Sequence, residues 1–121
     1  MPVKKILVVD DSPTERHVLT EALRQAGYHV VTATSGEQAI DTARSELPDL
    51  ILMDVVMPGM NGYQATRTIT RDEATRDIPV IMCTSKGQET DKIWGMRQGA
   101  NDYLVKPIDV SALLAKIAAL G

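Results

Sequence analysis

The stretch LILMDVVMPGMNG, Leu50 to Gly62, decides how this chain reads. Leu50, Ile51, Leu52 and Met53 form an unbroken apolar run, the mark of a short strand covered on both faces, because a strand with one wet face alternates apolar with polar residues. Asp54 follows at once. A carboxylate placed where a buried run stops belongs at a strand's carboxyl end, and the proline and glycines of MPGMNG then turn the chain toward a helix. Strands covered on both faces occur in parallel sheets whose crossovers are helices, so the rest of the chain should alternate strand with helix.

It does. KILVVD (5–10), HVVTA (29–33), LILMD (50–54), VIMCT (80–84) and DYLV (102–105) read as strands, with longer amphipathic segments between them. In the first helix Ser12, Pro13 and Glu15 stand in the order of a capping box with proline at the first helical position. Val18, Leu19, Ala22, Leu23 and Ala26 give it an apolar face, and Gly27 supplies a left-handed stop. The second helix starts at Ser35 with Gln38 as box partner and runs to about Glu46, before Pro48; the third follows Asn61 to about Arg71. A fourth is expected from about Thr90 to Gln98, ended by Gly99. The fifth is capped by Asp109 and should bury Val110, Leu113, Leu114 and Ile117. RDEATRDIP (71–79) reads as a polar connection. The expected fold is α/β, a doubly wound five-stranded parallel sheet with five helices.

Bulk properties narrow the function. With 121 residues the chain has the size of one domain, residues 1–121, and neither a linker nor an output domain is expected. No apolar run approaches the ~18 residues of a membrane span, and MPVKKILVVDD is too short in its apolar part for a signal peptide, so a cytoplasmic protein without membrane insertion is expected. A net charge of -3 and a pI near 5.3, with Lys and Arg not gathered into one segment, disfavour nucleic acid and favour protein partners. Cys83 is the single cysteine and reads as a small core residue. The five Met53, Met57, Met60, Met82 and Met96 read as core or loop packing, His17 and His29 as surface residues, and Gly36, Gly62 and Gly87 as backbone punctuation.

In a parallel sheet the carboxyl ends of all strands lie on one edge, where open α/β sheets bind ligands. That edge receives Asp10 and Asp11 from the first strand, Asp54 from the third, Thr84 from the fourth and Lys106 from the fifth. Two carboxylates about 4 Å apart repel by about 4 kcal/mol at an effective dielectric of about 20, so the cluster needs positive charge. Lys106 supplies one. An oxygen-preferring divalent cation, Mg2+, suits the remainder, and the lack of His or Cys at these strand ends disfavours zinc. With its charge neutralised in this way, Asp54 can act as nucleophile toward a phosphoryl group, while Thr84 and Lys106 hold phosphoryl oxygens. Each residue also has a plainer reading: Asp10 and Asp11 as turn or cap residues, Asp54 as a loop-starting aspartate, Thr84 as a strand-end threonine, Tyr103 as packing.

VVDDS, ILMDVVMPGMNG, the threonine of CTS and GANDYLVKP, in this order and over the whole chain, resemble the receiver domain of two-component response regulators. The resemblance implies a flavodoxin-like sheet of order 2-1-3-4-5 and a phosphoacceptor that assists its own phosphorylation and dephosphorylation without being an enzyme in the usual sense. Asp54 would take phosphate from a histidine kinase. Magnesium would be held by Asp11, Asp54 and the backbone carbonyl of Val56, with Asp10 acting through water. Thr84 and Tyr103 would form a switch that changes the binding of a target protein at the surface of helix four, strand five and helix five, and Lys106-Pro107 would be cis. Val56 and Lys86 occupy positions that tune phosphate lifetime in the family. Ile108 stands where the family usually has an aromatic, and Trp94 is open to a core or a partner-contact role. SKGQETDKIWGMRQGANDYLVKP is similar to single-domain, chemotaxis-type regulators of twitching motility and type IV pili.

Two other functions compete. An aspartate-nucleophile phosphatase of the haloacid dehalogenase type needs a second acid two residues past the nucleophile, where this chain has Val56. A receiver-shaped scaffold that takes no phosphate has no need of the five-residue polar set. Flavin or nucleotide binding is disfavoured by Asp10 and Asp11 after the first strand and by the absence of a GxGxxG or GxxxxGK[ST] segment.

Overall fold

A computed structural model describes residues 2–84 and 96–120. Its strands are β1 (Lys5–Val9), β2 (His29–Ala33), β3 (Leu50–Asp54), β4 (Val80–Thr84) and β5 (Asp102–Val105), all parallel, in the order β2-β1-β3-β4-β5. Four helices are present among the described residues: α1 (Pro13–Gln25), α2 (Gly36–Glu46), α3 (Gly62–Arg71) and α4 (Val110–Leu120). The last is the fifth helix of the sequence pattern. The expected fourth falls mostly on residues 85–95, outside the described residues, as do Lys86, Gly87 and Trp94; residues 96–97 are helical, and Gly99 follows at φ 106°.

Strand alternation divides the core into two layers. Leu7, Val9, Ile51, Met53, Val80 and Met82 point to the side covered by α2 and α3, where Ala39, Ile40, Ala43, Ala65 and Ile69 meet them. Ile6, Val8, Leu50, Leu52, Ile81 and Leu104 point to the other side, against Leu19 and Leu23 of α1 and Leu113 and Ile117 of α4. Every residue of β3 and β4 is buried, as the unbroken apolar runs require. Truncating a buried Leu or Ile in either layer costs about 2–5 kcal/mol.

Several helix details differ from expectation. In α1 the amide of Glu15 donates to Ser12 Oγ at 3.3 Å, yet the Glu15 carboxylate does not close the box. Ser12 N–H donates to Asp10 Oδ1 instead, at 2.9 Å, which frees Glu15 for another partner. Val18 is 55% exposed and Ala26 is exposed, because the contact stripe of α1 runs narrowly along Leu19 and Leu23. In α2 Gln38 accepts from the amide of Thr34, one residue before the cap at Ser35. The full capping box occurs in α3, between Asn61 and Gln64. β1 stops at Val9, although Asp10 N–H still donates to Ala33 O at 3.2 Å. Val110 and Leu114 are only partly buried, and Met96 is exposed, not packed.

Gly62 is more than punctuation. A Cβ built there lies 2.1 Å from the carbonyl oxygen of Asp54, so the first turn of α3 can press against the end of β3 only with a hydrogen at this position. Gly62 N–H donates to Val55 O at 2.9 Å and closes the loop that follows Asp54. Gly36 plays a similar part against the Met60 carbonyl oxygen, 2.8 Å from a built Cβ.

Candidate functional site

Register brings the strand ends level. Val9 pairs with Met53, Asp54 with Cys83 and Thr84 with Val105, while Lys106 N–H donates to Thr84 O at 2.7 Å. Asp10 and Asp54 extend the rows of Ile6 and Val8 and of Leu50 and Leu52, so both carboxylates emerge on the α1 and α4 side, and both are buried. Asp11, next along the chain, is exposed. One carboxylate oxygen from each of Asp10, Asp11 and Asp54 lies within 4.8 Å of the others.

Lys106, which is joined to Pro107 by a cis bond, enters this group. Its Nζ lies 2.8 Å from Asp54 Oδ1, 3.5 Å from Asp10 Oδ2 and 2.6 Å from Glu15 Oε2. Burial works to lower the lysine's pKa, but the hydrogen bonds to Asp54 and Glu15 outweigh it and raise the value, so the ammonium stays charged. Burial pushes the Asp10 carboxyl up to about 6, against the Ser12 amide, which favours the anion; Asp54 adds repulsion. Asp54 is raised as well, first by burial, with Lys106 acting the other way. Glu15 is held below the usual range by its bond to Lys106.

Thr84 and Tyr103 lie on the other side of the sheet. Thr84 continues the row of Val80 and Met82, is buried, and its hydroxyl donates to Leu104 O over a long 3.5 Å. Tyr103, opposite Met82 in the register, packs partly buried against the α2 and α3 core. Val56 is 72% exposed in the loop after β3. Cys83 is buried, and burial pushes its thiol up to about 12, so it packs and does not react near neutral pH.

Asp10, Asp11, Asp54 and Lys106 are thus brought together as the strand-end argument expects, with Thr84 on the adjoining strand end. Glu15 is a site residue that the sequence did not disclose. Its signal was hidden because an acid three residues past a serine before an apolar run is also what a capping box needs.

The acidic trio fits a hard divalent cation. Three oxygen donors come within 4.8 Å of one another, a little wider than the roughly 3–4 Å between ligands of one Mg2+, and side-chain rotation closes that gap. A groove of about 210 Å³ adjoins the cluster, lined by Val18, Leu19, Pro107, Ile108 and Val110 beside Glu15 and Lys106.

A family model for the response regulator receiver domain matches residues 6–118. Over 116 residues the chain is 55% identical to Protein PilH of Pseudomonas aeruginosa, with 96% of each covered. Its fold is similar to that of chemotaxis protein CheY4 of Vibrio cholerae, with a TM-score of 0.91 at 32% identity, covering 98% of this chain and 99% of that one. The receiver domain of sensor histidine kinase PA1611 from Pseudomonas aeruginosa is also similar, with a TM-score of 0.90 at 35% identity over 98% and 97% of the two chains, and it holds a magnesium ion in its active-site cleft. The chain belongs to the response regulator receiver domain family. Members are signalling modules that receive phosphoryl groups from histidine kinases, not enzymes of the usual kind.

Proposed function

We propose that Asp54 is the phosphoacceptor of a binding module switched by phosphorylation, and that Asp10, Asp11, Thr84 and Lys106 serve it. The observation that carries this reading is the 2.8 Å bond from Lys106 to a buried carboxylate that ends a strand beside two further acids. In the transfer, an Asp54 oxygen attacks the phosphorus of a kinase phosphohistidine in line; the P–N bond breaks, the imidazole leaves with its electron pair, and an acyl phosphate forms. Lys106 keeps Asp54 ionised for the attack despite its burial and then turns an N–H toward a phosphoryl oxygen. Asp11 and Asp54, with the Val56 carbonyl and with Asp10 through water, would hold Mg2+, which supplies charge neutralisation for the phosphoryl oxygens when bound. Thr84 would take another of those oxygens and give up its long bond to Leu104, and Tyr103 would follow, reshaping the surface of β5, α4 and the expected fourth helix for a target protein.

The likeness to Protein PilH supports a place in pilus-based motility signalling for a cytoplasmic protein of this kind. Incubation with Mg2+ and acetyl phosphate, followed by intact mass and site mapping, tests the core of the reading. One phosphoryl group on Asp54 is expected, and none in Asp54→Asn. Undiminished labelling of that variant would overturn the assignment.

A further inference from the structure

An ammonium has three N–H donors, and in the resting protein three carboxylates face those of Lys106. Glu15 is the nearest at 2.6 Å, Asp54 stands at 2.8 Å and Asp10 at 3.5 Å. A phosphoryl group on Asp54 brings new oxygens to the same lysine, and they compete with its present partners for three N–H donors. The three differ in what release costs them. The side chains of Asp10 and Asp54 are 2% and 7% exposed and have no water to turn to, whereas Glu15 is 51% exposed and can hydrate fully by a rotation. Its position allows this, because its helix is capped without it: Ser12 Oγ accepts the Glu15 amide, and Asp10 accepts the Ser12 amide that the Glu15 carboxylate would otherwise take.

Resting on the receiver reading, we infer that Glu15 is a latch for Lys106: it holds the lysine in the unphosphorylated state and must release it before Lys106 can bind a phosphoryl oxygen. Glu15 thereby favours the resting state and lowers the occupancy of Asp54 at a given donor concentration. It is a positioning residue and does not touch the reacting atoms. Loss of an exposed to half-exposed ion pair worth about 0.4–1 kcal/mol should shift phosphoryl affinity by roughly two- to fivefold.

The test uses the full chain with Mg2+ and beryllofluoride, a non-covalent stand-in for the phosphoryl group, titrated while backbone amide shifts are followed. Glu15→Gln removes the charge at nearly constant shape. Glu15→Asp keeps the charge but is shorter by one methylene, too short to reach Lys106. Expected is a roughly two- to fivefold lower half-saturation for both variants, with the Lys106 ammonium signal of the resting protein, measured without metal, shifted in both. If Glu15→Asp matches wild type while Glu15→Gln binds more tightly, Glu15 acts only as a distant negative charge, and the latch is refuted. Weaker binding in Glu15→Gln would show that Glu15 supports Lys106 in its working position, which also refutes it. Failure of wild type to bind beryllofluoride, or to be phosphorylated, would instead bring down the receiver reading itself.

Discussion

The two faces of the sheet end differently. On the α1 and α4 side the rows of Ile6 and Val8 and of Leu50 and Leu52 run out into Asp10 and Asp54, met by Lys106 and Glu15. On the α2 and α3 side the row of Val80 and Met82 runs out into the hydroxyl of Thr84, with Tyr103 packed alongside. One end gathers unlike and like charges around two buried carboxylates, and the other holds a neutral group by one long hydrogen bond among the described residues. On the proposed function the charged end does the chemistry, and burying its carboxylates costs stability. On the same proposal the neutral end is the part that moves, and a weak bond makes that movement cheap. Substitutions on the two sides should therefore fail in different ways.

The largest effect is expected where the charged end is braced. Gly62→Ala sets a methyl group against the Asp54 carbonyl oxygen, a backbone atom that cannot rotate away. The loop after β3 must shift, at about 3 kcal/mol, the upper range for forced packing. Urea denaturation should show that loss, together with slower phosphoryl uptake as Asp54 moves off Lys106. A Gly62→Ala protein of unchanged stability would mean that β3 and α3 are not in fixed contact here.

A smaller effect of opposite sign is expected at Asp10. Its carboxyl is pushed from 3.8 to about 6 in the fold, chiefly by burial, so the protonated form suits the folded chain better than the anion. Such a group adds stability that is fully present below about pH 4 and lost as pH rises through about 6. Asp10→Asn mimics the protonated form and can still accept the Ser12 amide, so without metal it should be more stable than wild type by about 1–3 kcal/mol at pH 7. The two should converge near pH 4. Thermal melts across that range check both statements, and a less stable Asn variant at pH 7 would show that Asp10 is needed as an anion to hold Lys106.

The parts of this arrangement legible in the sequence are those set by periodicity and by strand direction. β2, β3, β4 and β5 fall on the expected residues because buried parallel strands leave unbroken apolar runs, and Asp10, Asp54, Thr84 and Lys106 follow because such strands end on one edge. Side-chain choice between two partners was not legible. Glu15 can serve a cap or a lysine 91 residues away, and only the packing of α1 beside the end of β5 decides for the lysine. Val18 was misplaced for a related reason: helical spacing shows that it neighbours Leu19, but how wide a stripe the sheet covers depends on the groove beside Pro107 and Ile108. Gly62 reads as a turn residue because a close approach between backbones leaves no pattern along the chain.

The neutral end should give the smallest change in stability and the most selective change in behaviour. Thr84→Ala deletes a hydroxyl whose only bond to a described residue is 3.5 Å long, so its cost should stay near or below about 1 kcal/mol, the usual worth of one hydrogen bond. Asp54 and Lys106 are untouched by it, and the variant should still take up one phosphoryl group. On the proposed switch, what it loses is the coupling: without the hydroxyl the end of β4 would be drawn less toward the phosphoryl oxygens, and an equilibrium that moves Tyr103 would be biased less by modification. The amide shifts of β5 on phosphorylation should fall to roughly half or less of their wild-type size. If they remain full while phosphorylation is complete, the signal leaves through the charged end instead, by way of Lys106 and its peptide link to β5. The contrast between a reacting face and a responding face would then have to be abandoned.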